Sequence, residues 1–578
     1  MTASFRRRWP AVVALSLTGF LWGTPPERPV SPTKRPTPHA RVIVQGADMA
    51  SVMAAVRAVG GEVTHELGVI NAVGARLTPG QVDRLEAVDT SLRLHADRQT
   101  TVAGRKAKKK AKTSNMAASA GGSQTTRQQS KQWAKEESLV GTKVTAFPTR
   151  VGADRLHAEQ IMGGDVAIAV IDTGVWSHWG LEKDSLGVRR ISAVYDAVHD
   201  AMVDVSTAGF KGNNGKGFKK YSEIPGNDYS GHGSHVASVA VGSSFKVDLD
   251  NPEGAYNGIA PDAELVVVKA FDSTGQGTYA DVIRGLDWVI QNKDALGIRV
   301  LNLSFSASPQ SHYWDDPLNQ AVMRAWQAGI VVVASAGNTG PDPMTVGVPG
   351  NVPYVITVGA MTDNFTRGDY SDDRLTSFSA AGPTHEGFVK PDLVAPGGHI
   401  LGLMDRASHL PTQYPQFHDG ASYFAMSGTS QATAVVSGIV ALMIQVDPLL
   451  TPNEVKYRLM TTARPALDGT GQLAYSIFQQ GTGLVDAYAA VHPMLTGFAN
   501  QGLDLAADLA GSAHYQGRAN RDADGNYYLE GVDGFMWNDG FMWNDGFMWS
   551  DGFMWSDGFM WSDAMTESMS INTWVDQQ

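Results

Sequence analysis

Between Arg41 and His95 the spacing of apolar residues switches between the two-residue period of a strand and the 3.6-residue period of a helix. Arg41 to Gln45 alternates. From Asp48 onward, Met49, Val52, Met53 and Val56 share one helical face. Glu62 to Glu66 and Ile70 to Arg76 alternate again. Thr78 can cap a second helix, with Pro79 at its first position and Val82 and Leu85 on its apolar side. Ser91 to His95 closes the series as a strand. The order β-α-β-β-α-β is that of a small α+β split βαβ unit, spanning residues 38–98.

Residues 99–146 lose this periodicity. They are rich in Lys, Ser, Gln, Thr and Gly and are expected to form a flexible, cleavable linker. From Phe147 the pattern changes again. Val166–Ile171, Leu265–Val268, Val300–Leu303 and Ile330–Val333 are short, continuously apolar runs with helical segments between them. Such runs belong to parallel strands covered on both faces, so residues 147–492 are expected to form a doubly wound α/β domain. A long buried helix is expected from Ser430 through Val446. Residues 493–532 read as a linker. Residues 533–562 then repeat Asp-Gly-Phe-Met-Trp with Asn or Ser in sixth place, five times over, before a tail at 563–578. Each repeat fits either an extended strand or a three-residue strand between turns, and neither is long enough in apolar residues to span a membrane.

Composition narrows the function classes. A net charge of -12 argues against a nucleic-acid partner. The basic run Arg105 to Lys112 is then a solvated part of the linker. The absence of cysteine excludes disulfides and thiolate metal sites. Arg6 to Arg8, followed by an apolar stretch from Ala11 to Gly23, reads as an export signal over residues 1–23, so the protein is expected outside the cell.

Three polar segments stand where buried strands end or helices begin. Asp172-Thr173-Gly174 follows a strand directly and taken alone could be an aspartic-protease motif or simply a turn. Gly231-His232-Gly233-Ser234-His235 carries two histidines that could ligate a metal, but no third ligand of suitable spacing stands near them. Ser430 opens the long helix, where backbone N–H groups can stabilise an oxyanion, or where it could be a simple cap. Their order, Asp then His then Ser, is the subtilisin order.

On these residues the chain resembles the subtilisin family of serine proteases over about Phe147 to Val491. The resemblance implies a catalytic triad of Asp172, His232 and Ser430, and an oxyanion hole made by the Asn338 amide and the Ser430 backbone N–H. It implies substrate-binding strands at Gly275-Gln276-Gly277 and Ser304-Phe305-Ser306, and a cis proline in the turn Val346-Gly347-Val348-Pro349. The split βαβ unit then corresponds to the family's inhibitory propeptide. No cofactor is needed for such chemistry, and calcium is left as a structural supplement with no ligands assigned. The expected partners are protein and peptide substrates and the chain's own propeptide, while the repeats would bind a cell surface, a glycan or other copies of themselves.

Three positions depart from the family pattern. Gln431 and Ala434 replace the usual Met and Pro, which bears on substrate fit. Ser306 replaces a glycine and narrows the wall of the pocket for the residue before the scissile bond. With Gly347 leaving the base open, a large apolar side chain is expected there. The rival to an active endopeptidase is a surface-attached binding or scaffold protein with a relic protease domain. The intact set of Asp172, His232, Ser430 and Asn338 speaks against it.

Overall fold

The continuous apolar runs become neighbouring strands because each can bury both of its faces. In the computed structural model, which describes residues 39–102, 147–204, 226–248, 251–364, 366, 370–523 and 525–529, the first unit is built from β1 (Ala40–Gln45), α1 (Met49–Ala58), β2 (Glu62–Leu67), β3 (Ala72–Leu77), α2 (Pro79–Val88) and β4 (Arg93–Ala96). The sheet order is β2-β3-β1-β4, with every pairing antiparallel. Asp48 caps α1 by accepting from the Ser51 N–H, and Thr78 with Gln81 forms a reciprocal box at the start of α2. Val44, Val52, Val56, Val73, Leu77 and Leu85 make this unit's own core. Ile70 falls in a 3-10 turn ahead of β3 rather than in the strand itself.

The sequence reading places a linker from residue 99. Instead, Gln99–Val102 forms a further strand, β5, whose place is described with the site. Its order comes from backbone pairing with edges far away in the chain, which local periodicity does not report.

The second unit holds β6 (Ala167–Asp172), β7 (Ile191–Asp196), β8 (Ala201–Val203), α3 (His232–Val241), β9 (Glu264–Lys269), β10 (Gln276–Thr278), α4 (Tyr279–Asn292), β11 (Ile298–Leu303), β12 (Phe305–Ser306), α5 (Pro317–Gln327), β13 (Val331–Ser335), β14 (Ile356–Thr362), β15 (Arg374–Leu375), β16 (Leu393–Pro396), β17 (Ile400–Leu403), β18 (Tyr423–Met426) and α6 (Thr429–Val446). Its main sheet has nine strands in the order β15-β14-β13-β11-β6-β9-β7-β8, with β16 also paired to β14. All neighbours are parallel except the edge pairs β7–β8 and β14–β15. This is the doubly wound α/β sheet expected from the apolar runs. Among the described residues α6 alone is long and apolar enough to cross a membrane, but it is buried in the core, packed on α3 and the sheet.

Residues 493–529 are not a linker where they are described. They fold back on the second unit through a short helix, α7 (Leu505–Leu509), and an antiparallel pair, Ala519–Arg521 with Tyr527–Leu529. Asp508 is buried and accepts from the hydroxyls of Tyr313 at 2.5 Å and Tyr354 at 2.9 Å, and His514 Nδ1 lies 2.7 Å away. Each bond to an ionised acceptor contributes about 1.5–3 kcal/mol, enough to hold a segment with little apolar patterning. Trp314 stacks between His312 and His514, and Leu529 packs against Phe478. The proposed export signal, the basic part of the linker and the hexapeptide repeats lie outside the described residues.

Candidate active site

Two backbone approaches bring the first pair of candidate residues together. Asp172 ends β6, at the carboxyl edge of the sheet where open α/β folds carry their sites. His232 is the first residue of α3, and the glycines on either side of it allow the helix to start there. Gly231 holds φ 95°, and a Cβ on Gly233 would sit 2.3 Å from the Gly174 carbonyl. The glycines therefore serve close packing of α3 on the Asp172-Thr173-Gly174 turn. Among the described residues no group of three or more His, Asp or Glu side chains is placed to hold a metal ion.

Asp172 and His232 are both almost fully buried, and Asp172 Oδ1 lies 2.8 Å from His232 Nδ1. The carboxylate also accepts from the Thr173 N–H at 2.7 Å. Since an ionised carboxylate only accepts, Nδ1 carries the ring proton, and Nε2 is left as the basic nitrogen. Nε2 is buried with no hydrogen-bond partner.

Three residues to which the sequence assigns no role lock this pair in place. Thr173 Oγ1 donates to Asp228 Oδ1 and accepts from the Gly233 N–H, both at 2.8 Å. Asp228 Oδ2 accepts from the Ser234 N–H and hydroxyl at 2.8 and 2.6 Å. Lys269, at the end of β9 beside Asp172, donates to the Thr173 carbonyl at 2.6 Å and the Asn227 carbonyl at 3.0 Å. Burial lowers the Lys269 pKa, with the surrounding aspartates opposing. Asp228 stands three residues before the N-cap Gly231, so no capping pattern in the sequence marks it.

Ser430 stands in the first turn of α6, fully buried, where its hydroxyl donates to the Ser304 carbonyl at 3.0 Å. The Ser304 hydroxyl in turn donates to the Ser430 carbonyl, also at 3.0 Å. Asn338 follows β13. Its Oδ1 accepts from the Thr429 N–H at 3.0 Å and the Thr429 hydroxyl at 2.9 Å. A backbone N–H can only donate, so this fixes the amide with Oδ1 toward α6 and leaves Nδ2 as the donor end. Gln431 is buried against His235, its Nε2 3.4 Å from His235 Nδ1, so this departure from the family pattern acts behind the site.

The two expected substrate strands lie side by side with β5 between them. β5 runs antiparallel to both: Thr100 is opposite Gly277, Thr101 opposite Gln276 and Ser306, and Val102 opposite Phe305. The Val102 N–H donates to the Gly275 carbonyl at 3.1 Å. Thr100 and Val102 point into the protein and are buried. The first unit is further held by Gly68 N–H to Asp287 at 2.9 Å, by Asp97 accepting from the Ala280 N–H at 3.0 Å at the start of α4, and by Arg98 paired with the buried Asp316 at 3.1 Å. Gly347 hydrogen-bonds the Ala336 carbonyl beside Asn338, and the Val348–Pro349 peptide is cis.

Two histidines behind the site predict acid sensitivity. Burial pushes His235 down to about 4, with His232 adding to the shift and the Phe424 and Ile400 carbonyls opposing, and burial pushes His399 to about 4. A depressed folded pKa means the stabilising difference is present above the unfolded value near 6.5 and is lost as pH falls toward 4. At pH 5 each costs about 2 kcal/mol relative to pH 7.5. Asp373, raised by burial to about 6, and Asp316, also raised by burial, work in the other direction, while His95 and His157, lowered by burial, add to the loss. Denaturant titrations are therefore expected to show a net loss of stability between pH 7.5 and 5, and a flat or rising profile would contradict the burial of these rings.

A parallel α/β sheet, a buried Asp–His pair, a serine at the start of a core helix and an extended segment laid between two edge strands together define a subtilisin-like serine protease. The chain belongs to the subtilase family, whose description matches residues 163–484. It is 38% identical over 305 residues to the serine protease AprX of Bacillus subtilis, covering 52% of this chain and 61% of AprX, less than two thirds of that relative's length. It is 30% identical over 342 residues to subtilisin DY of Bacillus licheniformis, covering 59% of this chain and 96% of the relative. Among solved structures it resembles fervidolysin from Fervidobacterium pennivorans with a TM-score of 0.52 and 23% identity, over 79% of this chain and 61% of that one, a likeness of fold.

Proposed function

We propose that the chain is a secreted endopeptidase that cuts protein chains through an acyl-enzyme and is made as a precursor that processes itself. The observation that carries this reading is the strand β5. A segment of the chain lies in extended form between Gly275–Thr278 and Phe305–Ser306, as a peptide substrate would, and leads toward Ser430.

In this mechanism Ser430 Oγ turns from the Ser304 carbonyl to His232 Nε2, gives up its proton and attacks the substrate carbonyl. Asp172 holds the ring in the required tautomer and stabilises the imidazolium. Asn338 Nδ2 and the Ser430 N–H bind the oxygen that gains negative charge, an interaction stronger in the transition state than before it. The C–N bond then breaks as His232 returns the proton to the leaving amine. Water, activated by the same ring, releases the acid product and restores Ser430. The relic-scaffold alternative gains nothing from the site, where none of these groups is missing. Casein supplied to the purified chain should be cut to peptides, and a folded protein that releases none would overturn the reading.

The first unit is taken to be the inhibitory propeptide, cut free once the protease unit has folded. The repeats at 533–562 are taken to hold the enzyme at a cell surface, on a glycan or to other copies of itself, through their dense Phe and Trp. Deleting residues 533–578 is expected to leave casein hydrolysis within about threefold, since it touches no group placed in the transition state. The deletion should also shift the enzyme from a surface-bound or oligomeric fraction to free monomer. Identical fractionation and light scattering for both forms would remove the repeats from that role.

A further inference from the structure

The pocket that receives the residue before the scissile bond is set by the register of β5. Thr101 lies opposite Ser306 and Val102 opposite Phe305, so the next residue of any strand bound in this way comes level with Ser304. The Ser304 carbonyl is the group that Ser430 Oγ touches at 3.0 Å, which makes that next residue the acyl donor. Next to Asn338, Gly337 faces Ser306, and this is the side on which the family resemblance sets the pocket for that residue.

Gly337 and Gly347 line this pocket, and Ser306 occupies the space they leave open. A Cβ on Gly347 would fall 2.0 Å from Ser306 Oγ, and one on Gly337 would fall 3.0 Å from it. Gly347 N–H is bonded to the Ala336 carbonyl at 3.0 Å, and Ala307 and Val348 exchange both backbone hydrogen bonds, so the walls are tied to one another and cannot easily part. The serine hydroxymethyl therefore stands across the slot. A phenyl or isobutyl group entering it would have to push Ser306 aside or strip water from its hydroxyl without replacing the hydrogen bond. A methyl or hydroxymethyl group meets neither obstacle.

We propose that Ser306 makes this enzyme selective for alanine, serine or glycine as the residue before the scissile bond. The proposal rests on the endopeptidase reading and reverses the sequence expectation of a large apolar side chain. That expectation took Ser306 only to narrow the wall and gave more weight to the glycine at the base. The chain's own sequence fits the restriction: the residue after Val102 is Ala103, so self-cleavage in the β5 register falls between Ala103 and Gly104.

The test uses the self-processed full chain and two p-nitroanilides that differ at one position, Thr-Thr-Val-Ala and Thr-Thr-Val-Phe. The expected kcat/KM favours the alanine compound at least tenfold, and Ser306→Gly is expected to shift that ratio at least tenfold toward phenylalanine. A preference for phenylalanine in the wild type, or an unchanged ratio in Ser306→Gly, would overturn the proposal. Should the variant not fold, the bonds cut in casein by the wild type decide the matter. Cuts after small residues, and a mature N-terminus at Gly104, support it, while cuts mainly after Phe, Tyr and Leu refute it. Failure of the folded wild type on casein and on both peptides would instead sink the endopeptidase reading beneath it.

Discussion

Replacing Ser430 with alanine is expected to lower casein hydrolysis by about 10⁶-fold, the size of the loss when subtilisin itself loses its serine. The side chain removed is the nucleophile of the proposed mechanism, and the residual groups can bind a substrate but cannot form an acyl-enzyme. The fold should tolerate the change. Ala is a good helix former in the first turn of α6, and the lost bond to the Ser304 carbonyl costs about 1 kcal/mol. The same variant should accumulate as a precursor with residues 40–102 still joined, because the strand in the cleft then meets no nucleophile. Circular dichroism, peptide release and intact mass measure the three consequences together. Full activity in the variant would discard the triad assignment. Normal processing in a host free of other proteases would discard self-cleavage alone.

What could be read from the sequence was whatever is decided locally. Val166–Ile171 and Leu265–Val268 announce buried parallel strands because both faces of each are covered, and nothing distant alters that. Asp172, His232 and Ser430 were legible because each sits at a strand end or helix start marked by glycine, and because their order is restrictive. The groups that hold them were not. Asp228 and Lys269 are charged residues that composition assigns to the surface, and their burial follows only when α3 docks on the turn after β6. Gln99–Val102 is held by backbone bonds to two edges more than 170 residues further along, so its side chains carry no pattern to detect. The same applies to residues 493–529, whose anchor is one carboxylate, Asp508, between two distant tyrosine hydroxyls. The pocket wall at Ser306 was visible as a substitution, but its consequence depends on which glycines it faces.

The second large effect is expected at Asn338. Its amide does two things, and two variants separate them. Asn338→Leu removes the Nδ2 donor and also the Oδ1 acceptor that holds the Thr429 N–H and hydroxyl at the start of α6. Asn338→Asp keeps an acceptor for Thr429 but offers no donor and sets a negative charge beside the oxygen that becomes negative in the transition state. If Asn338 acts on the oxyanion, both variants lose about 10²–10³ in kcat, equivalent to about 2.7–4 kcal/mol, with little change in KM, a range known from the oxyanion asparagine of subtilisin. If Asn338 only braces α6, Asn338→Asp should stay near wild type while Asn338→Leu loses activity along with stability. Steady-state kinetics on a peptide p-nitroanilide, paired with denaturant midpoints for each protein, distinguish the two. A kcat within threefold of wild type in Asn338→Asp would take Asn338 out of the oxyanion hole and leave the Ser430 N–H as the donor on which the mechanism must rest.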